Sequence, residues 1–194
     1  MNKLNLKETF ELALRQCAFI ILTIYAISKL FGGQFYMNGN LPAEVAKTTL
    51  GEASGFSLAW TFMGHSYLYI FIIGILQLVS AWFLLWNKTK LIGVLILIPI
   101  MVNIIIFDII FLDVYPALAN AIIVFAMLLL ILFFNKERIV DVIKSLTNFQ
   151  AKPKVPIKSR LITIGVTIII IILIFSFDSF IEDWLGASQE KIIA

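Results

Sequence analysis

Five apolar stretches of about 17–22 residues punctuate this chain, each near the length that crosses a hydrocarbon core of roughly 30 Å as a helix. They run from about Leu12 to Phe31, His65 to Trp86, Leu91 to Leu112, Pro116 to Phe134 and Leu161 to Phe177. The last contains the run TIIIIILIF, whose β-branched residues would suit a strand in water but must be helical in lipid, where the backbone has to satisfy itself. With 61% hydrophobic and only 14% charged residues, little polar sequence is left for a separate soluble domain. The expected fold class is an all-α membrane protein, a four-helix transmembrane bundle plus a fifth transmembrane helix.

The bases set the expected orientation. Threading the stretches alternately puts Lys3, Lys7, Arg15, Lys88, Lys90, Lys136, Arg138, Lys144, Lys152, Lys154, Lys158 and Arg160 on one side, and leaves only Lys29, Lys47 and Lys191 on the other. Short loops rich in Lys and Arg stay cytoplasmic, so the amino terminus is expected inside, the carboxyl terminus outside, and the protein in the inner (plasma) membrane. The first stretch lies behind a basic segment and lacks a clean small-x-small cleavage site after it, so it is expected to remain as a signal anchor.

The turns at Asn87–Lys90 and Leu112–Pro116 are too short to let their flanking helices be anything but antiparallel neighbours. Residues 1–134 are expected to form the core with an outer loop at 32–63, residues 135–160 a basic cytoplasmic linker, and residues 161–194 the fifth helix and an external amphipathic tail. The outer loop opens with Gly32 and Gly33, which read as a flexible pair. Pro42 then leads AEVAKTTLG, which reads as a short helix ending at Gly51. Phe35, Tyr36, Phe56, Trp60 and Phe62 place this loop on the outer membrane surface.

Much chemistry is excluded by what is scarce. One cysteine and one histidine make no disulfide, CxxC couple, bis-histidine haem or Cys/His zinc site. The net charge of +3 reads as topology, and nucleic acid is not an expected partner. No nucleophile beside a base, phosphate loop or catalytic carboxylate pair is evident, so no catalytic residue, metal or resident cofactor is assigned and the isolated chain reads as non-catalytic. Cys17 reads as a small buried apolar residue.

Function is sought in the polar residues inside spans, which are costly in lipid and face a bundle interior. Gln77 and Asn103 lie about 18 Å and roughly 14 Å below the outer ends of adjacent helices, counted at 1.5 Å per residue, and are expected to hydrogen-bond each other. They read as interhelical glue or as contacts for a substrate or quinone. A second layer gathers Lys29 beside Ser28, His65, Asp108, Asp113 and Asn120 near the outer face. A Lys29–Asp108 ion pair is one reading, an outward-snorkelling Lys29 the other. His65 reads as an interfacial hydrogen-bonding residue. Asp108 and Asp113 point about 140° apart on one helix, which argues against a shared cation. In the tail, Phe177, Ile181, Trp184 and Leu185 form an apolar stripe at i, i+4, i+7 and i+8. That stripe is either an interfacial anchor or a docking surface for an external partner.

The segment from Trp60 to Asp113 resembles the DoxX-like membrane proteins as a whole. The residues that carry the resemblance are Trp60, Phe62, Gly64, Ser66 and Tyr69, then Gly74 and Gln77, then Leu84, Leu85, Thr89 and Gly93, then Asn103 and Asp113. It departs from that pattern at Asn87 and Lys88, where paired arginines are usual, and around Leu118, where apolar residues replace a lysine. The resemblance covers roughly Leu12 to Phe134 and implies an inner-membrane four-helix bundle whose relatives are linked to a quinone-reducing sulfur oxidoreductase and to other redox enzymes. The leading expectation is a non-catalytic membrane subunit or scaffold that holds another membrane or periplasmic protein at the bilayer through its outer loop and tail. The alternative is a small carrier, or a quinone- or lipid-binding protein, with Gln77 and Asn103 at its centre. A weaker third is an enzyme using Lys29, His65 and Asp108 on a membrane-embedded substrate.

Overall fold

The computed structural model describes residues 5–112, 115–147 and 156–193, without the side chains of 178 and 182–193. The described residues form α1 (Leu6–Leu30), α2 (Ala43–Lys47), α3 (Gly55–Gly64), α4 (Tyr67–Phe83), α5 (Lys90–Phe111), α6 (Tyr115–Phe134), α7 (Lys136–Thr147) and α8 (Ile157–Ile193), with no strand among them. Four helices, α1, α5, α6 and α8, are long and apolar enough to cross a membrane. The stretch beginning at His65 is different. Its helix α4 has 17 residues and joins α3 through a break that bends the pair by 90°. Ser66 caps α4 by accepting a hydrogen bond from the Tyr69 N–H.

The chain divides into two compact units, residues 1–143 and 144–194. In the first, α1 packs on α4 and α6, and α5 packs on the same two, so four helices close a ring. The buried positions show why. Ala18, Leu22 and Ala26 on α1 recur every fourth residue; Ile70, Gly74, Gln77, Ala81 and Leu84 in and just after α4, and Ala121, Val124, Leu128 and Ile131 on α6, alternate steps of three and four. Such spacing keeps one seam facing inward along a left-handed bundle. Small residues bring the backbones close: a Cβ on Gly74 would sit 2.9 Å from Leu30 Cδ2, and one on Gly93 2.6 Å from the Ser80 carbonyl. The opposite faces expose Ile20, Ile24, Phe71, Ile72, Ile109, Ile110, Ile122 and Ile123. So much apolar surface is untenable in water and suited to acyl chains.

The end of the bundle where α1 begins is called here the near end, and the opposite one the far end. At the far end α1 closes in a Schellman motif: Gly32 adopts φ +71°, its N–H bonds the Lys29 carbonyl at 3.1 Å, and the Gly33 N–H bonds the Ser28 carbonyl at 2.9 Å. The pair expected to be flexible is thus a fixed stop. The following loop and α3 form a cap. Phe35 meets Trp60 edge-on at 5.4 Å, Trp60 stacks on Phe56 at 4.3 Å, and the Tyr36 N–H donates to the Trp60 carbonyl at 3.3 Å. The short helix after Pro42 ends at Lys47, four residues before the Gly51 expected to stop it.

In the second unit, α8 is one helix of 37 residues, about 55 Å long and well beyond a 30 Å core. The tail is therefore continuous with the fifth apolar stretch as helix; the side chains of Trp184 and Leu185 lie outside the described residues, as do Asp113 and its surroundings. The stretch expected as a linker contains α7, an amphipathic helix with Ile139, Val140, Val142 and Leu146 along one side.

Gly64→Ala tests the cap, because its Cβ would lie 1.8 Å from the Tyr36 carbonyl oxygen. The variant is expected to melt at lower temperature in detergent and to be cut faster by added protease within residues 32–63. Gly51→Ala, where a Cβ meets nothing within 4 Å, is expected to match the parent in both measurements.

Candidate functional site

The bundle is filled in its near half and open in its far half. Ala18, Leu84, Val94, Leu97, Leu128 and Ile131 are fully buried and pack the near half. Beyond them lies a cavity of about 610 Å³, within the range of small-molecule sites. Leu22, Pro99 and Val124 lie at its inner limit, and Gly33, Gln34, Phe35, Trp60 and Met63 of the cap at its far limit. Pro99 carries no N–H, so the α5 wall gives up one helical hydrogen bond at this level.

All four bundle helices send polar groups to the cavity. Lys29, only 7% exposed, donates from Nζ to Gln77 Oε1 at 2.6 Å, and Gln77 Nε2 donates to the Leu22 carbonyl at 3.1 Å. Asp108 is 8% exposed and lines the same cavity as Lys29. Among the described residues it makes no side-chain hydrogen bond, nor an ion pair within 4.0 Å. Among the described residues, Gln34 Oε1 is buried without a partner. Asn103 lines the α5 wall, and Asn120 on α6 donates to the Tyr25 hydroxyl at 3.4 Å.

Several sequence-based expectations need correction. Gln77 and Asn103 line one cavity but do not bond each other; the hydrogen bonds of Gln77 go to Lys29 and the Leu22 carbonyl of α1. Lys29 does not snorkel outward, and it does not form the direct pair with Asp108; its short bond goes to a neutral amide instead. The outer polar layer is split. Lys29, Asp108 and Asn120 reach the cavity, whereas His65 lies in a separate, largely apolar depression of about 770 Å³ between α2 and α3 that also includes Leu50 and Phe62. Asp113 lies outside the described residues. Of the tail stripe, Phe177 is exposed and Ile181 half-buried, with Trp184 and Leu185 outside the described side chains. Cys17 is exposed, on the face of α1 turned away from the core.

A second polar cluster, at the near end, escaped sequence reasoning. Arg15 is 3% exposed and donates from Nε to the Leu84 carbonyl at 2.5 Å, from Nη2 to the Leu85 carbonyl at 2.8 Å and from Nη1 to Asn87 Oδ1 at 2.6 Å. It caps the carbonyl end of α4, where a cation is favoured. Glu11 stands one turn before Arg15 and accepts from Lys90 Nζ at 2.5 Å. The signal was present in the i, i+4 spacing of Glu11 and Arg15 and in a lysine opening the third stretch, but each base is equally well explained as topology.

Fold and site together define an all-helical membrane-type bundle with an interior cavity at one end. No family model and no solved structure matches the chain. It is similar to YwoB of Bacillus subtilis (strain 168), an uncharacterized protein, at 34% identity over 85 residues. The match covers 44% of this chain, which thereby spans about half, 51%, of the length of that relative.

The near-end cluster predicts a stability asymmetry. Glu11→Leu removes the only ion-pair partner of Lys90 among the described residues and is expected to cost about 3–5 kcal/mol, since it strands a buried charge. Glu11→Leu combined with Lys90→Met is expected to recover most of that loss. Both effects are read from unfolding of the detergent-extracted chain.

Proposed function

We propose that this chain is a small integral protein of the inner (plasma) membrane that binds an amphiphilic small molecule, a lipid or quinone-type compound, in the cavity between α1, α4, α5 and α6. The observation that carries the proposal is a cavity of about 610 Å³ with apolar walls and a few convergent polar groups; among the described residues Gln34 Oε1 is buried there without a hydrogen-bond partner and Asp108 makes no side-chain hydrogen bond. A packing defect would be lined by apolar atoms alone, whereas unpaired polar groups in a cavity imply something to pair with. The near end is cytoplasmic in this proposal, because the amino terminus and the turn before α5 carry bases while the far end carries few. The bent pair of α3 and α4 then supplies one crossing and α8 the fifth, with the carboxyl terminus outside. Membership of the DoxX-like proteins is part of the same proposal. Of the residues that carry the likeness, Trp60, Tyr69, Gln77 and Asn103 line the cavity, and Gly64 and Gly74 permit close approaches around it.

A second reading, the scaffold that holds a partner protein, is favoured by the depression between α2 and α3, where Leu50 is 83% and Phe62 72% exposed. One preparation separates the two. The full-length chain is extracted from its native membrane in mild detergent, and bound small molecules and proteins are identified by mass spectrometry. A near-stoichiometric amphiphile is expected in the parent. Ala121→Phe, which fills the cavity wall at a residue 6% exposed, is expected to lower its occupancy roughly tenfold without loss of folded protein, and Gln77→Leu to lower it by less. A stoichiometric protein partner with an empty cavity would make the scaffold the better reading.

A further inference from the structure

The cavity is lined by opposite charges, Lys29 and Asp108, that do not form an ion pair with each other. Lys29 spends one N–H on Gln77, and an ammonium has three, so two remain for whatever fills the cavity. Asp108, an acceptor only when ionised, is buried and spends neither oxygen on a protein donor among the described residues. Gln34 Oε1 adds a third acceptor site, buried and unpaired, from the cap.

Charge balance narrows the occupant. Lys29 and Asp108 cancel, so a ligand of net charge would leave an uncompensated charge away from water, whereas a neutral or zwitterionic one would not. Hydrogen bonding narrows it further. Unpaired acceptors at Asp108 and Gln34 call for a group with several donors, and the spare donors of Lys29 call for an anionic or strongly accepting group. A primary ammonium supplies three donors, while a quaternary ammonium supplies none. Lys29 is the last residue but one of α1 and Asp108 is three residues from the end of α5, and the Lys29 ammonium reaches inward from there to Gln77. Around these groups the walls are apolar, with Leu22, Ile73, Ile104 and Val124, and Gln77 and Asn103 are the polar residues set among them.

Building on the amphiphile-binding function proposed above, we infer that the cavity receives the head of a zwitterionic amphiphile of the aminoalkyl phosphate class, its phosphate on Lys29 and its primary ammonium on Asp108 and Gln34. Gln77 positions the lysine by tying it to the Leu22 carbonyl.

The test titrates the full-length chain in mild detergent with phosphatidylethanolamine, phosphatidylcholine and phosphatidylglycerol of identical short acyl chains, reading bound lipid by native mass spectrometry. Phosphatidylethanolamine is expected to bind roughly tenfold more tightly than either of the others, the equivalent of one charge-assisted hydrogen bond. Asp108→Asn is expected to abolish the preference over phosphatidylcholine, and Lys29→Gln to weaken phosphatidylethanolamine itself. The comparison of head groups on the parent chain needs no variant to fold. Equal binding of the ethanolamine and choline lipids, or tighter choline binding against Tyr25, Trp60 and Tyr69, overturns the inference. So does a preference for phosphatidylglycerol. If such binding is still lost in Ala121→Phe, the amphiphile site stands and only the head-group assignment fails. If no amphiphile is retained by the parent under any of these conditions, both fail.

Discussion

The hydrogen bond from Lys29 to Gln77, itself anchored on the Leu22 carbonyl, is the contact on which the far half of the bundle depends. It joins α1 to α4 across the level where the interior opens. Without an acceptor, a lysine this deeply buried would have to leave the cavity or lose its charge; with one, it stays and aims its remaining donors inward. The Schellman stop at Gly32 sits just beyond it, so the backbone that carries Lys29 is fixed on both sides. A neutral amide is an informative partner for the ammonium. It fixes the position without cancelling the charge, and the carboxylate that would cancel it waits on another helix.

The two polar layers of the bundle follow opposite logic. At the near end Arg15 meets two carbonyls and an amide oxygen, and Glu11 meets Lys90, so the cluster is closed and ties the α4–α5 turn to α1. At the far end, among the described residues, Gln34 Oε1 has no partner and Asp108 makes no side-chain hydrogen bond, around an open volume. A satisfied buried network rigidifies, and an unsatisfied one costs stability unless something else completes it. The difference in satisfaction, more than the residue types, separates the structural end from the candidate binding end.

Some of this architecture is legible in the sequence, and the reason some is not is physical. Apolar length and the two short turns were enough to anticipate α1, α5, α6 and α8 as long apolar helices and to make α4, α5 and α6 antiparallel neighbours. Which face of each helix turns inward was hidden, because the surface given to lipid is as apolar as the core. Ile122 and Ile123 are exposed while Val124 is buried, and no hydropathy pattern tells them apart. Polar residues were the better guides: Gln77, Asn103, Lys29, Asp108 and Asn120 all reach one cavity, although the pairings drawn between them were wrong. Those pairings depend on χ angles and helix rotation that depth counting cannot supply. The bend between α3 and α4 was missed for a related reason, since the run from Gly55 to Phe83 is apolar almost throughout and only the short break at His65 and Ser66 marks the turn.

The cavity itself is written in side-chain size. Along α6 the inward residues grow from Ala117 and Ala121 through Val124 to Leu128 and Ile131, small at the far end and large at the near end. On α5, Pro99 separates Val94 and Leu97, which are fully buried, from Asn103 and Asp108, which face the opening. A bundle that needed only to hold together would continue the larger residues to the cap, because each missing methylene forfeits packing contacts that even a lipid environment rewards. Here the small residues stand beside the lysine, the aspartate and the amides that the four walls send to the cavity. Volume and unpaired polarity therefore coincide, and that coincidence is what a site predicts and a packing defect does not.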